Sequence, residues 1–397
     1  MYYLNSNIKL LDTKVIALND ISPSEIIVSI RKSDLVNINN SVHKQFIESL
    51  NINDDLINLV ILLNEEFADM NSSKWLDYLE RVNLNKQPSL ALFWKFNENI
   101  NGLEIYTDLT DYPLIHYLNI YNQLVTVYNI DIHVYLNLIK FIKSKSFYID
   151  NFYKLSMVPF ADKLNHSDQN NCHFESELIV CSVCGKLFEC PHDNFDNKNN
   201  VFEGDEYEDS VEIVSKSFIP KGEELFNTYG NLSNKQLALH YGFILDTNPY
   251  DIITFDDDDW YFNSSFNYND NGDNIDFDDD QELFNFNTKK SFIDSDGKVS
   301  LKLFNNDHPQ ILKTVIESYY NETKVEDEFT KSLIINLINK IRYRKSLYFI
   351  NSLTESQKEF NEKYKDYLND ENEMIEKMRN DEINLIDVTL DRLTLLI

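Results

Sequence analysis

The residues able to do chemistry fall in three short segments: Met157-Val-Pro-Phe-Ala-Asp-Lys-Leu-Asn-His166, Gly222-Glu-Glu-Leu-Phe-Asn-Thr-Tyr-Gly-Asn-Leu-Ser-Asn234 and His240-Tyr-Gly-Phe243. The Asn165-His166 pair, after a Pro-bounded strand, offers an amide and an imidazole near a strand end. At Tyr229-Gly230 the glycine permits a sharp turn that exposes the phenol and its backbone. Tyr241 and Phe243 bracket a further glycine. Together these make an aromatic cluster with a few polar groups and no obvious nucleophile, acid–base dyad or metal triad. Such a set binds a flat or cationic ligand through ring faces and does not suit hydrolysis.

A second constellation is Cys181-x-x-Cys184-x5-Cys190-x-His192, with Cys172 and His173 nearby. Three thiols and an imidazole have the composition of a tetrahedral zinc site, and the x-x spacing lets one turn present two thiolates. A zinc here is expected to be structural, stapling an insertion with four protein ligands and no open position. The alternative is a loop of reduced cysteines. All four cysteines lie between Cys172 and Cys190, which argues for an intracellular chain and against a disulfide scaffold.

The elements that must position these groups are readable from periodicity. Lys14–Ala17 and Glu25–Ile30 read as two strands around the Ser22-Pro-Ser24 turn. From about 41 to 148 the apolar period is helical. Ser72 or Ser73 is expected to cap a helix carrying Trp75, Leu76, Tyr78 and Leu79, and a further helix runs from Val134 to Phe147. Val211–Ser215 reads as a strand, and Ser233-x-x-Gln236 as a capping box opening a short helix to Tyr241. Residues 251–282 are acidic with interspersed aromatics, and apolar residues return at helical spacing from Pro309 to Ile397.

Composition narrows the function classes. The 397 residues carry a net charge of −30, which argues against a phosphate-tracking nucleic-acid binder and for solubility or the steering of a basic partner. Only eight glycines are present, no two closer than eight residues, so neither a GxGxxG turn, a Walker A loop nor a GxSxG elbow exists. The start lacks the pattern of a secretory signal, and runs such as Leu59–Leu63 fall far short of a membrane span. An intracellular monomer in cytoplasm or nucleus is expected.

The three chemical segments resemble the SET domain, in the branch typified by the Rubisco large-subunit lysine methyltransferase, whose pattern is VPxADxxNH followed by GEExFxxYGxxSNxxLxxxYGF. Ile16–Lys32 resembles the opening strands, Ser144-Lys-Ser-Phe147 the family's Ser-Arg-x-Phe, and the helical C-terminus its substrate-binding lobe. The resemblance implies an α+β fold: a β-rich, pseudoknotted SET core over residues 1–250, with a helical insertion at about 41–148 and a Cys-rich insertion at about 172–200. An acidic connecting segment at 251–300 and a helical C-terminal substrate-binding domain at 301–397 would follow. It implies S-adenosylmethionine as cofactor and a lysine of a basic protein, such as a ribosomal protein, translation factor or histone, as acceptor. Tyr229 would line the methyl-transfer channel and touch the cofactor, Tyr241 and Phe243 would wall the lysine channel, and Asn165, His166 and Lys145 would hold the cofactor. Two departures stand out. Asp12-Thr-Lys14 replaces the family's Gly-x-Gly cofactor turn, and Lys145 replaces an arginine, losing its bidentate fork. They leave two rival expectations: a histidine acceptor on the same fold, or an inactive SET module that binds a partner.

Overall fold

The computed structural model describes residues 2–11, 14–96, 103, 113–187, 190, 192, 209–255, 301–304, 335, 338–339, 341–350, 352–394 and 397. Most of the acidic stretch (256–282), Asp12 and Thr13 of the expected cofactor turn, and Leu333, Ile334 and Leu337 of the C-terminal helical pattern lie outside the described residues. The chain divides into two units, one of 1–92, 111–231 and 238–243, the other of 93–110, 232–237 and 244–397.

In the first unit, β1 (Tyr2–Leu4), β2 (Ile8–Leu10), β3 (Val15–Ala17) and β4 (Ile26–Arg31) open the chain. The helical stretch follows as α1 (Lys44–Ser49), α2 (Asp55–Ala68), α3 (Leu76–Leu79), α4 (Pro113–Leu124) and α5 (Ile132–Lys145). Short strands then return: β5 (Ser146–Tyr148), β6 (Leu155–Met157), β7 (Asn165–His166), β8 (Cys172–Ser176), β9 (Ser210–Ser215) and β10 (Phe226–Asn227). The main sheet is antiparallel in the order β1-β4-β9-β8. The two strands read at the N-terminus do not pair with each other: β3 pairs β2, and β4 lies between β1 and β9. Branched residues on one face of β4 and β9, Val28, Ile30, Val211 and Ile213, enter a core with Leu164 and Leu225 from the strand segments of the chemical motifs.

Local chemistry explains the long helices. The Asp54 carboxylate caps α2 by accepting from the Ile57 amide, and Asp131 caps α5 at His133 and Val134. Lys143 and Lys145 in the last turn of α5 suit its dipole. At α3 the expected cap is displaced. Trp75 is the N-cap residue and makes no side-chain cap, while the Ser73 hydroxyl accepts from the Trp75 N–H at 3.1 Å. One charged group is fully buried at the sheet: Lys32 Nζ ion-pairs Asp150 at 2.8 Å and Asp209 at 2.6 Å and donates to the Glu177 carbonyl at 2.8 Å.

The second unit holds an antiparallel pair, β11 (Ile252–Phe255) and β12 (Leu301–Phe304), and the helices α7 (Glu355–Lys363) and α8 (Asn372–Thr394). Between the units' strands and helices in sequence lies α6 (Asn234–Tyr241), which opens on the expected capping box: Ser233 N–H donates to Gln236 Oε1 at 3.0 Å and Gln236 N–H to Ser233 Oγ at 3.4 Å. Phe96 meets Phe360 edge-to-face at 5.3 Å, and the Asn361 amide closes two hydrogen bonds on the Phe96 backbone at 2.9 and 2.7 Å. Among the described residues, no helix is long and apolar enough to cross a membrane.

Candidate active site

Two strands of two residues each bring the chemical segments together. β7 and β10 run parallel, with Asn165 opposite Phe226 and His166 opposite Asn227, and the Ser167 N–H extends the ladder to the Asn227 carbonyl at 3.1 Å. The approach to β7 is bent at Phe160, whose φ of 75° lies where a bulky side chain is strained by on the order of 1–3 kcal/mol. Its buried ring in the main core holds the bend and the Ala161–Lys163 turn that follows.

Tyr229 is the centre of the site. Its Oη donates to the Leu164 carbonyl at 2.9 Å, and its backbone N–H donates to His166 Nδ1 at 3.1 Å. Because Nδ1 accepts, a neutral His166 carries its proton on Nε2. Burial favours that neutral form by pushing the His166 pKa down, against the opposing charge of Asp168. Burial, then Tyr241 and Asp162, push the Tyr229 phenol up, so it remains a protonated donor at physiological pH. The Tyr229 ring lies 4.5 Å from Tyr241, 5.2 Å from His166 and 6.3 Å from Phe243, with His166 and Phe243 at 6.1 Å. Thus Tyr229, His166, Tyr241 and Phe243, separated by up to 77 positions in sequence, converge on one aromatic wall.

The remaining candidates sit around that wall. The Asn165 amide donates to Glu224 Oε1 at 2.7 Å, and Asn171 ties the same segment by donating to the Glu224 carbonyl and accepting from the Phe226 N–H. Lys145, at the end of α5, donates from Nζ to the Asp162 carbonyl at 2.9 Å. Burial holds its amine below the ordinary lysine range, partly offset by the Asp162 charge. The Asp162 carboxyl is itself raised by burial against the pull of Lys163 and Lys145, and accepts from Tyr78 Oη at 3.1 Å.

Three participants were absent from the sequence reading: the Leu164 carbonyl, Glu224 as the partner of Asn165, and the Tyr78–Asp162 contact. Asp162 and Glu224 stand inside the two motifs, so their motif positions were a usable signal. Tyr78, in α3 and 84 residues from Asp162, carried none.

The cysteine motif also closes up. One ligand atom from each of Cys181, Cys184, Cys190 and His192 lies within 4.8 Å of the others, whereas Cys172 is a buried core residue of β8 whose thiol is pushed up to about 12 by burial. Backbone N–H groups of Val183 and Cys184 pull the Cys181 thiol down to about 7. A cleft of about 590 Å³ elsewhere in the first unit includes Asn39, Glu48, Phe152 and Val183 in its walls and none of the converging aromatic residues.

Residues 13–230, more than half of the chain, match the protein-family model described as SET domain. Ribosomal lysine N-methyltransferase 3 of Saccharomyces cerevisiae is 24% identical, across 60% of this chain and 58% of that protein. Ribosomal lysine N-methyltransferase set10 of Schizosaccharomyces pombe is 28% identical, across 60% of this chain and 41% of its own length. N-lysine methyltransferase setd6 of Xenopus tropicalis is 24% identical, across 58% of this chain and 50% of that protein. The chain thus spans about half the length of the curated relatives it matches. In fold, it is similar to the solved SET domain of LSMT bound to lysine and AdoHcy, with a TM-score of 0.57 at 16% identity over 98% of this chain and 88% of the other. Rubisco LSMT bound to AdoMet gives a TM-score of 0.52 at 15% identity, over 97% and 88%.

Proposed function

The chain belongs to the SET-domain family, and from that premise we propose that it transfers a methyl group from S-adenosylmethionine to the side-chain amine of a lysine in a basic protein. The observation that carries this reading is the convergence of Tyr229, His166, Tyr241 and Phe243 beside the Leu164 carbonyl. That donor set fits a sulfonium cofactor, because ring faces and neutral oxygen acceptors favour a cation while leaving it reactive. When bound, S-adenosylmethionine supplies the methyl group on that sulfonium.

The chain's own residues do the positioning. Tyr229 Oη, anchored on the Leu164 carbonyl, turns its oxygen lone pairs toward an acceptor amine. Tyr241 and Phe243 wall the channel through which a lysine stem would enter, and their low-dielectric faces disfavour the ammonium form, so the acceptor sheds its proton to solvent more readily. Asn165, fixed by Glu224, and His166, held neutral, are assigned to the cofactor side. Lys145 is assigned there through the Asp162 turn, as a positioning residue. Ordered placement of two reactants in a dry channel is the main source of rate in such a transfer.

For the acceptor, a ribosomal protein is the first choice. Two relatives carry that substrate class in their names, and a net charge of −30 attracts lysine-rich chains. We assign residues 1–250 to the SET region and the helices of 301–397 to substrate docking. The test is incubation of the full chain with labelled S-adenosylmethionine and salt-washed ribosomal proteins, read by mass spectrometry, alongside calorimetry with S-adenosylhomocysteine. Methyl-lysine, lost in Tyr229→Phe, is expected. Methylhistidine would replace the acceptor, and absence of S-adenosylhomocysteine binding at millimolar ligand would overturn the enzyme reading in favour of a partner-binding module.

A further inference from the structure

The Cys181, Cys184, Cys190 and His192 cluster is not used by methyl transfer, yet among the described residues it brings four metal-ligating side chains together outside the site. It lies in the long connection between β8 and β9, which are neighbours in the main sheet. Its first half is a tight turn: the Gly185 N–H donates to the Cys181 carbonyl at 2.8 Å, and the Cys181 N–H to the Lys186 carbonyl at 2.9 Å. Gly185 closes that turn with φ of 73°, a conformation open to glycine, and a Cβ there would stand 2.5 Å from the Phe152 ring. The turn therefore presents the Cys181 and Cys184 thiols together while its back packs on Phe152.

The second half supplies the complement. Cys190 is buried, His192 is exposed, and His192 Nδ1 lies 3.5 Å from the Cys190 sulfur and 3.7 Å from the Cys181 sulfur. Zinc bonds of about 2.3 Å to sulfur and about 2.0–2.1 Å to nitrogen, at the tetrahedral angle, require S···N edges of about 3.6 Å. Both observed edges are within about 0.1 Å of that requirement. None of the four cysteines is in a disulfide, so the thiols are available as ligands.

We propose that Cys181, Cys184, Cys190 and Nδ1 of His192 hold one zinc ion in a closed, structural site that fastens the β8–β9 connection to the sheet. Three soft sulfur donors and one imidazole select zinc over the hard, oxygen-seeking calcium and magnesium. Four protein ligands leave no position for a water or substrate, so the ion takes no part in methyl transfer. The fastening is specific. The connection starts at Glu177, whose carbonyl accepts from buried Lys32, and ends at Asp209, whose carboxylate pairs the same ammonium. Asp150, the third partner of Lys32, also accepts from the Phe152 N–H at 2.8 Å, and Phe152 is the ring beneath Gly185. Metal knuckle, aromatic seat and buried ammonium are consecutive links of one support.

The test uses the full chain expressed with zinc in the medium and needs no methyl acceptor, so its outcome is independent of the methyltransferase reading. Elemental analysis is expected to find about one zinc per chain, and X-ray absorption a shell of three sulfurs at about 2.3 Å and one nitrogen at about 2.0–2.1 Å. Cobalt exchanged into the wild type is expected to give tetrahedral d–d bands with thiolate charge-transfer absorption, reduced by about a third in Cys184→His, which keeps four ligands with one sulfur fewer. Cys172→Ala should retain the full metal content. Zinc far below one per chain, a shell of nitrogen and oxygen alone, or unchanged zinc in Cys184→Ser would overturn the site. The wild-type spectrum decides the matter even where a variant fails to fold.

Discussion

Tyr229 makes two hydrogen bonds of different kinds, and they can be separated. Removing the hydroxyl in Tyr229→Phe keeps the ring against Tyr241 and His166 and keeps the backbone donation to His166 Nδ1, but deletes the Oη bond to the Leu164 carbonyl. Loss of one preorganised polar group at a reacting centre typically costs about 10²–10³ in kcat. Methyl transfer is therefore expected to fall by about that factor, while S-adenosylhomocysteine affinity in calorimetry stays within about threefold. The unpaired carbonyl should also lower stability by about 1–3 kcal/mol in urea unfolding. A second residue reports mainly on burial. His240, next to Tyr241, is pushed down to about 4 by burial first and by Lys143 second. Its folded-state pKa lies below the unfolded value of about 6.5, so between these values the unfolded chain binds more protons, and stability falls as pH drops through that window. With the ring only part-buried, the loss amounts to about 1–2 kcal/mol by pH 4. The urea midpoint of the wild type should thus fall more steeply from pH 6.5 to 4 than that of His240→Gln; parallel curves would remove His240 from the account.

At the scale of elements, legibility tracked the length of the periodic signal. α2 and α5 each run 14 residues with capping carboxylates at Asp54 and Asp131, and the helical pattern announced them. α6 was visible from Ser233 and Gln236 alone because a capping box is a local chemical device. β1 and β2, three residues each, lacked enough alternation to be read, and the β7–β10 pairing, two residues each, leaves no periodicity at all. Hence the site's residue types were readable from Asn165-His166, Tyr229 and Tyr241-x-Phe243, while the geometry joining them was not. The Lys32 support was likewise invisible, since its partners Asp150, Glu177 and Asp209 are scattered in sequence. That support yields an element-level prediction. Lys32→Met leaves the buried Asp150 and the part-buried Asp209 carboxylates without their cation, which costs about 3–5 kcal/mol by analogy with broken buried ion pairs. The thermal midpoint should drop accordingly, and the Lys32→Met, Asp150→Asn double variant should lose less than the sum of the singles.

The whole molecule adds a field to the local site. The chain carries a net charge of −30, whereas the aromatic wall contributes little charge of its own, so on the proposed reading the attraction of a lysine-rich acceptor comes from the net charge and not from the wall. Fields of exposed charges are screened over about 10 Å at 0.1 M salt and about 3 Å at 1 M. Contacts within the aromatic wall, from the 2.9 Å hydrogen bond of Tyr229 to its 6.3 Å ring contact with Phe243, fall inside the length of about 10 Å that applies at 0.1 M and are packed among the rings. Salt should consequently separate the two contributions. Raising ionic strength from about 0.05 to about 0.5 M is expected to lower kcat/KM for a peptide with four lysines flanking the acceptor by about tenfold, mainly through KM, because long-range steering acts on encounter. A peptide with neutral flanks around the same acceptor lysine should start lower and change by less than about twofold, and kcat should be nearly flat for both. Equal salt sensitivity of the two peptides would locate recognition in close contacts instead, and would strip the net charge of its role in choosing a basic substrate.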